Sequence, residues 1–186
     1  MRNPGPLRVA TPSDTEIVLT REFDAPRRLV FDAWTRPELL RRWHGARGWN
    51  LVVCEVDLRV GGAWRFVSRG PDGATMGHGG VYREITPPGR LVYTESFDDQ
   101  WYPGESLVTH VLAEDAGRTT LTSTLLFPSR EARDIVLASP MERGLAEGYA
   151  LLDEVLLAHR RHDPAGPAPT GPAPTGRTPA AQGDRS

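Results

Sequence analysis

The chain contains no lysine. All 22 of its basic residues are arginine, which excludes Schiff-base catalysis and a lysine general base. Cysteine is almost absent too. Cys54 stands alone, so no intrachain disulfide can form and nothing points to an oxidising compartment. Within the strand-like run Leu51–Val56 it reads as a small, half-buried hydrophobe. No apolar run approaches 18 residues, so no transmembrane helix is expected, and stretch 1–14 lacks the apolar core of a signal peptide. A cytoplasmic protein is the expectation. No strong excess of either charge exists: a formal net charge of −2 offers little to nucleic acid or an anionic membrane. The five histidines, His44, His78, His110, His159 and His162, form no HxH, HxxxH or HExxH pattern, so no metal site is expected. P-loop, GxGxxG and GxSxG runs are missing, which removes the usual signs of a nucleotide cofactor or a serine nucleophile. No cofactor and no catalytic residue is assigned.

What is present is one long amphipathic stretch and a series of strands. In Ser139–Arg161 the residues Met141, Leu145, Tyr149, Leu152, Leu156 and His159 recur at the helical spacing of three or four. Ser139, Pro140 and Glu142 mark its start as cap, first position and capping box. Glu16–Phe23 alternates as a first strand. Asp24-Ala25-Pro26 breaks it and opens a short helix, and Thr35-Arg36-Pro37-Glu38, again a capping-box spacing, opens a second. Six strand-like runs follow: 49–58, 63–68, 81–85, 91–97, 107–112 and 119–127. Their short connections imply an antiparallel meander. Ser129–Ala138 reads as one more short helix.

These elements predict an α+β fold: a curved antiparallel sheet of about six to seven strands, two short helices after strand 1, and a long C-terminal helix over the concave face. A flexible arm is expected at 1–14, one domain at 15–161 and a disordered tail at 162–186. In that tail Gly166–Thr170 is repeated as Gly171–Thr175, with no side chain large enough to offset ordering entropy.

Ordered motifs along the domain carry a family resemblance. Arg21-Glu22-Phe23-Asp24-Ala25-Pro26, Val30-Phe31-Asp32-Ala33-Trp34-Thr35, Pro37-Glu38-Leu39 and Trp43 resemble the opening of SRPBCC-superfamily proteins. Within that superfamily they resemble the branch named after the activator of the heat-shock protein 90 ATPase. Gly61–Phe66, Gly80–Ile85, Pro88–Thr94 and Met141–Gly144 continue the resemblance over roughly residues 15–158. It implies a START-like helix-grip fold with a cavity under the long helix. The superfamily's functions span lipid carriers, polyketide cyclases, hydrolases and chaperone cofactors, so fold does not fix function.

Candidate site residues follow from such a cavity. Trp49, Trp64, Phe66, Tyr82, Tyr93, Trp101 and Tyr149 supply aromatic walls, and the tyrosines add hydroxyls that could orient a polar group. Met141, Leu145, Gly148 and Leu152 lie on the long helix's face; Gly148, like Gly144, either packs closely or leaves space beneath the helix. His78 and His110, with Glu95 in a nearby strand, are candidates for a histidine–carboxylate pair able to move protons. The expected function is binding of a hydrophobic small molecule, in a monomer or homodimer. The alternatives are a cyclase- or hydrolase-type enzyme using the same cavity, and a chaperone-partner role of a stress or regulatory protein implied by the family.

Overall fold

The computed structural model describes residues 5–162; segment 163–186, with the expected tail and its repeat, lies outside the described residues. Eight strands form one open antiparallel sheet: β1 (Arg8–Ala10), β2 (Glu16–Phe23), β3 (Asn50–Val56), β4 (Ala63–Arg69), β5 (Thr75–Thr86), β6 (Arg90–Phe97), β7 (Ser106–Asp115) and β8 (Arg118–Leu126). The helices are α1 (Arg27–Thr35), α2 (Pro37–Trp43), α3 (Arg130–Ala138) and α4 (Met141–His162). The α+β expectation of antiparallel strands plus two short helices and a long one stands, but the sheet has eight strands rather than six or seven. The extra strand is β1, inside the segment expected to be an arm. It pairs Arg8–Ala10 with Thr20–Val18 of β2, a hairpin pairing that three residues of local sequence do not signal.

The strand order β1-β2-β8-β7-β6-β5-β4-β3 places the site. Strands β3 to β8 run as a meander, while β2 lies beside β8. The chain must therefore cross from the middle of one half of the sheet to its far edge between β2 and β3, and α1 and α2 make that crossing. Pro37 decides the break between them: the residue before a proline resists helical geometry, so α1 ends at Arg36, and Pro37 then occupies the first turn of α2. The expected capping box does not form. The Thr35 hydroxyl donates back to the Phe31 carbonyl at 2.9 Å.

On the inner face of the sheet, alternation buries Ile17, Leu19, Arg21 and Phe23 of β2, Leu91 of β6, Val108, His110 and Leu112 of β7, and Leu121 and Ser123 of β8. Tyr149, Leu152, Val155 and Leu156 of α4 meet Phe23, Trp34 and Trp43 in the main core. Leu152 is fully buried. Arg21 crosses from β2 to α4, where its Nη2 donates to Asp153 Oδ2 at 2.7 Å. The long helix does not cover the sheet alone: α1 packs on β7 and β8, α2 packs on the edge strand β3, and α4 packs against both helices. A second core cluster, with Ile17, Leu19, Tyr102, Phe127 and Val136, holds Met141 and Leu145 from the start of α4. Ser139 caps that start only loosely, its Oγ accepting from the Met141 N–H at 3.3 Å.

Candidate functional site

Two helices and three strands line a cavity of about 40 Å³ on the inner face: Trp34 of α1, Leu40 of α2 and His44 just after α2 sit over Trp64 and Phe66 of β4, His78 and Tyr82 of β5, and Leu91, Tyr93 and Glu95 of β6. One water needs about 10–15 Å³ of such space, so there is room for about three. Its floor depends on two local features. Arg83 is an extra residue in β5, since Tyr82 pairs with Tyr93 but Glu84 pairs with Val92; that bulge moves the inward set from His78 and Tyr82 to Ile85. Gly80 is obligatory, because a Cβ there would lie 1.8 Å from the Thr94 carbonyl oxygen.

Six sequence candidates line this cavity together: Trp64, Phe66, His78, Tyr82, Tyr93 and Glu95. The others go elsewhere. Trp49 packs over Gly70, where an added Cβ would meet its ring at 3.0 Å. Trp101 is 38% exposed and stands edge-on to Phe97 and Tyr102. Met141 and Leu145 belong to the second cluster. Tyr149 and Leu152 fill the main core. Gly148 leaves no space for a ligand: a Cβ there would come within 3.1 Å of the Gly45 carbonyl, so it permits close approach of α4 to the loop after α2. The cavity therefore lies under α1 and α2 rather than under the long helix. Trp34, Leu40, His44 and Leu91 were not singled out in the sequence. Of these, His44 carries the most chemistry, and no local pattern marks it beyond its place at the end of α2.

Histidine–carboxylate pairing resolves in favour of His78. Its Nδ1 lies 3.0 Å from Glu95 Oε2, and its ring stacks on Phe97 at 4.9 Å with 10° between planes. Trp64 meets it edge-on. His78 is only 6% exposed, and its Nε2 is buried with no partner among the described residues. His44 lies with its ring centroid 5.5 Å away and likewise buries an unpartnered Nδ1. Burial first, and the neighbouring His78 second, lower the His44 pKa to about 3, so at neutral pH it is an uncharged ring. A carboxylate oxygen can only accept, so His78 Nδ1 donates to Glu95 and Nε2 is the ring nitrogen left without a partner among the described residues.

His110 does not join Glu95. Its Nε2 lies 2.8 Å from the Tyr93 hydroxyl and its Nδ1 lies 2.7 Å from Ser123 Oγ. Burial lowers its pKa to about 3, so it too is neutral. Tyr93 is held as a phenol well above the usual tyrosine range by burial, with the Glu95 charge and two neighbouring tyrosines adding to the effect. Burial also raises Tyr82. A hydrogen bond with Ser123 partly offsets the effect of burial on Tyr149, which is raised to about 12.

The cavity thus has apolar walls, one histidine–carboxylate pair, a neutral histidine and phenol hydroxyls; no arginine lines it. Among the described residues no three metal-ligating side chains converge, and no helix is long and apolar enough to cross a membrane. A larger hollow of about 240 Å³, between α1, α2 and the end of α4, is bordered by Arg28, Asp32, Arg36, Glu38 and His159. Its charged rim holds none of the unpartnered buried atoms among the described residues, so the smaller cavity is the stronger candidate.

Similar proteins agree with the fold. A solved protein from Rhodobacter sphaeroides is 36% identical, with a TM-score of 0.78 over 83% of this chain and 99% of its own. One from Arthrobacter aurescens is 26% identical, with a TM-score of 0.72 over 81% and 91%. The AHSA1 protein from Silicibacter pomeroyi, 21% identical with a TM-score of 0.65 over 77% and 99%, shares the fold. No curated protein matches the chain. The family model described as activator of Hsp90 ATPase homolog 1-like protein matches residues 24–157. With residues 24–157 of 186 so matched, on a sheet-and-helix fold of the SRPBCC type, this chain belongs to the activator of Hsp90 ATPase homolog 1-like family.

Proposed function

We propose that this protein binds a small, uncharged, partly apolar molecule in the cavity between the α1–α2 clasp and strands β4 to β6. The observation that carries this reading is the pair of buried ring nitrogens, His78 Nε2 and His44 Nδ1, left without protein partners on two residues that line one aromatic-walled space. Buried polar atoms are nearly always satisfied, so two orphans at one cavity call for a polar atom from a guest or from water. The walls favour an apolar body, and the absence of arginine from the lining disfavours a charged one. Size sets a limit. At about 40 Å³ the space is far below the roughly 300 Å³ of a drug-sized site. A lipid or polyketide therefore needs Trp34 or His44 to swing outward, whereas a molecule of a few heavy atoms does not.

The test is a titration of the ¹⁵N-labelled protein with small ketones, aldehydes and alcohols, followed by amide shifts. Saturable shifts confined to Gly79, Tyr82, Glu95 and the His44 loop are expected. Shifts confined to Arg28, Arg36 and His159 would move the site to the outer hollow, and no saturable shift would remove the reading. Family membership favours a second reading, a protein–protein role at a chaperone of the heat-shock protein 90 class. Stimulation of the chaperone's ATPase by the purified protein supports it; no stimulation and no co-sedimentation contradict it.

A further inference from the structure

Two buried hydrogen-bonded chains end at the walls of the same cavity, one as a base and the other as a donor. The first is Glu95–His78, whose Nε2 is left without a partner among the described residues. The second runs from Ser123 through His110 to the Tyr93 hydroxyl, at 2.7 and 2.8 Å, with the Tyr149 hydroxyl beside Ser123. His110 is uncharged and has one N–H to give. If Ser123 donates to its Nδ1, its Nε2–H donates to the Tyr93 oxygen, and the Tyr93 O–H is left for the cavity. Tyr149, held as a phenol, can donate its O–H to the Ser123 oxygen and so favour that direction.

We propose that the cavity catalyses proton transfer at the carbon next to the carbonyl of a small, uncharged aldehyde or ketone. His78 acts as the base and Tyr93 as the hydrogen-bond donor to the carbonyl oxygen. In the forward step the Cα–H bond breaks and its proton passes to His78 Nε2. The electron pair of that bond forms the C=C of an enol or enolate, whose oxygen carries the charge against Tyr93. Glu95 stabilises the imidazolium that results, as a carboxylate does for any histidine base. Reversal returns the proton to the same carbon, or to the other end of the system in an isomerisation, so no oxidant, reductant or cofactor enters. Substrate class follows from the groups present. A phenol donor opposite a histidine base suits enolisation, because it meets the negative charge that forms on the carbonyl oxygen as the base takes the proton. Hydrolysis would need a nucleophilic water beside its electrophile, in a space that holds about three waters altogether.

This inference rests on the binding reading, and the experiment separates the two. The full-length protein is incubated in D₂O with acetone, hydroxyacetone, propanal and cyclopentanone. Loss of α-proton signal is followed by ¹H NMR, and binding of the same compounds is read by saturation transfer. Exchange at least about a hundredfold above an equal concentration of free imidazole is expected for one or more compounds. That excess should vanish in His78→Gln and fall tenfold or more in Tyr93→Phe, with near-UV circular dichroism reporting their folds. Glu95→Gln should keep binding and lose exchange. Binding without exchange across the panel overturns the proton-transfer proposal and leaves the binding reading standing. Neither binding nor exchange overturns both. Exchange that survives in His78→Gln overturns the assignment of the base, and Tyr93→Phe with full exchange overturns that of the donor.

Discussion

Lowering the pH from 7 to 5 should destabilise this protein by about 4 kcal/mol, because two buried histidines refuse the protons that the unfolded chain accepts. Burial brings His44 and His110 from 6.5 to about 3; at His44 the neighbouring His78 adds to the effect and a backbone hydrogen bond opposes it. Both folded values lie below the unfolded one. The stability these groups lend is therefore complete above pH 6.5 and declines steadily as the pH falls toward 3. Each pH unit inside that window costs about 1.4 kcal/mol per group, so about 1.5 units cost about 2 kcal/mol each and about 4 kcal/mol for the pair. Set against a typical 5–15 kcal/mol, that is a large fraction. Carboxylates act mostly elsewhere. Asp98, lowered by its hydrogen bonds from Arg65, loses its contribution only below its unfolded value near 3.8. Asp153, raised by burial despite Arg21, takes up a proton more readily when folded and so opposes the loss in acid. Urea unfolding followed by tryptophan fluorescence at pH 7 and pH 5 measures the difference. His110→Gln should start less stable at pH 7 and show about half the pH dependence, since glutamine has no proton to gain on unfolding. Equal midpoints at the two pH values in the parent protein, or an unreduced dependence in His110→Gln, would refute the reasoning.

Other expected outcomes follow from single contacts. Gly144→Ala has open space, with nothing within 4 Å of the added Cβ, so it should stabilise α4 by about 1 kcal/mol and raise Tm by roughly 3 °C in calorimetry. Gly80→Ala, whose Cβ falls 1.8 Å from the Thr94 carbonyl, should abolish cooperative unfolding; a normal thermal transition would show that β5 and β6 pair otherwise. Arg21→Met leaves Asp153 half-buried without its partner and should cost about 2–4 kcal/mol. Adding Asp153→Leu should recover more than half of that, and a double-mutant cycle showing no coupling would contradict a clamp between β2 and α4. Leu152→Ala, at a fully buried site, should cost about 2–5 kcal/mol in urea unfolding.

Local chemistry explains which parts of this architecture can be read in the residues. Strand β2 is legible because every second side chain from Ile17 to Phe23 is buried, and the α1–α2 break because Pro37 forces it. Strand β1 is not, since its pairing is supplied by β2 rather than by its own three residues. The first half of β5 is not legible either, because Gly77, Gly79 and Gly80 interrupt the side-chain alternation that marks a strand. Their reason is crowding: Cβ atoms there would meet Asp98, the Trp64 carbonyl and the Thr94 carbonyl. Glu95 and His78 could be named as candidates, but not paired with each other, because the register that brings His78 opposite Phe97 is a property of the whole sheet. The cavity's roof is hidden for a similar reason. Periodicity shows that α4 has an apolar face, but not that Trp34, Trp43 and Phe23 fill the space beneath it. His44 closes the cavity through the path of the chain after α2, which no spacing rule encodes.

The most direct measurement is a high-resolution crystal structure of the protein purified from its own host without added ligand. Continuous density that is larger than water, within hydrogen-bond distance of His78 Nε2 and bounded by Trp64 and Tyr93, is the predicted result. A cavity holding only separate waters, with His78 Nε2 and His44 Nδ1 both satisfied by them, would contradict the claim that this is a ligand site.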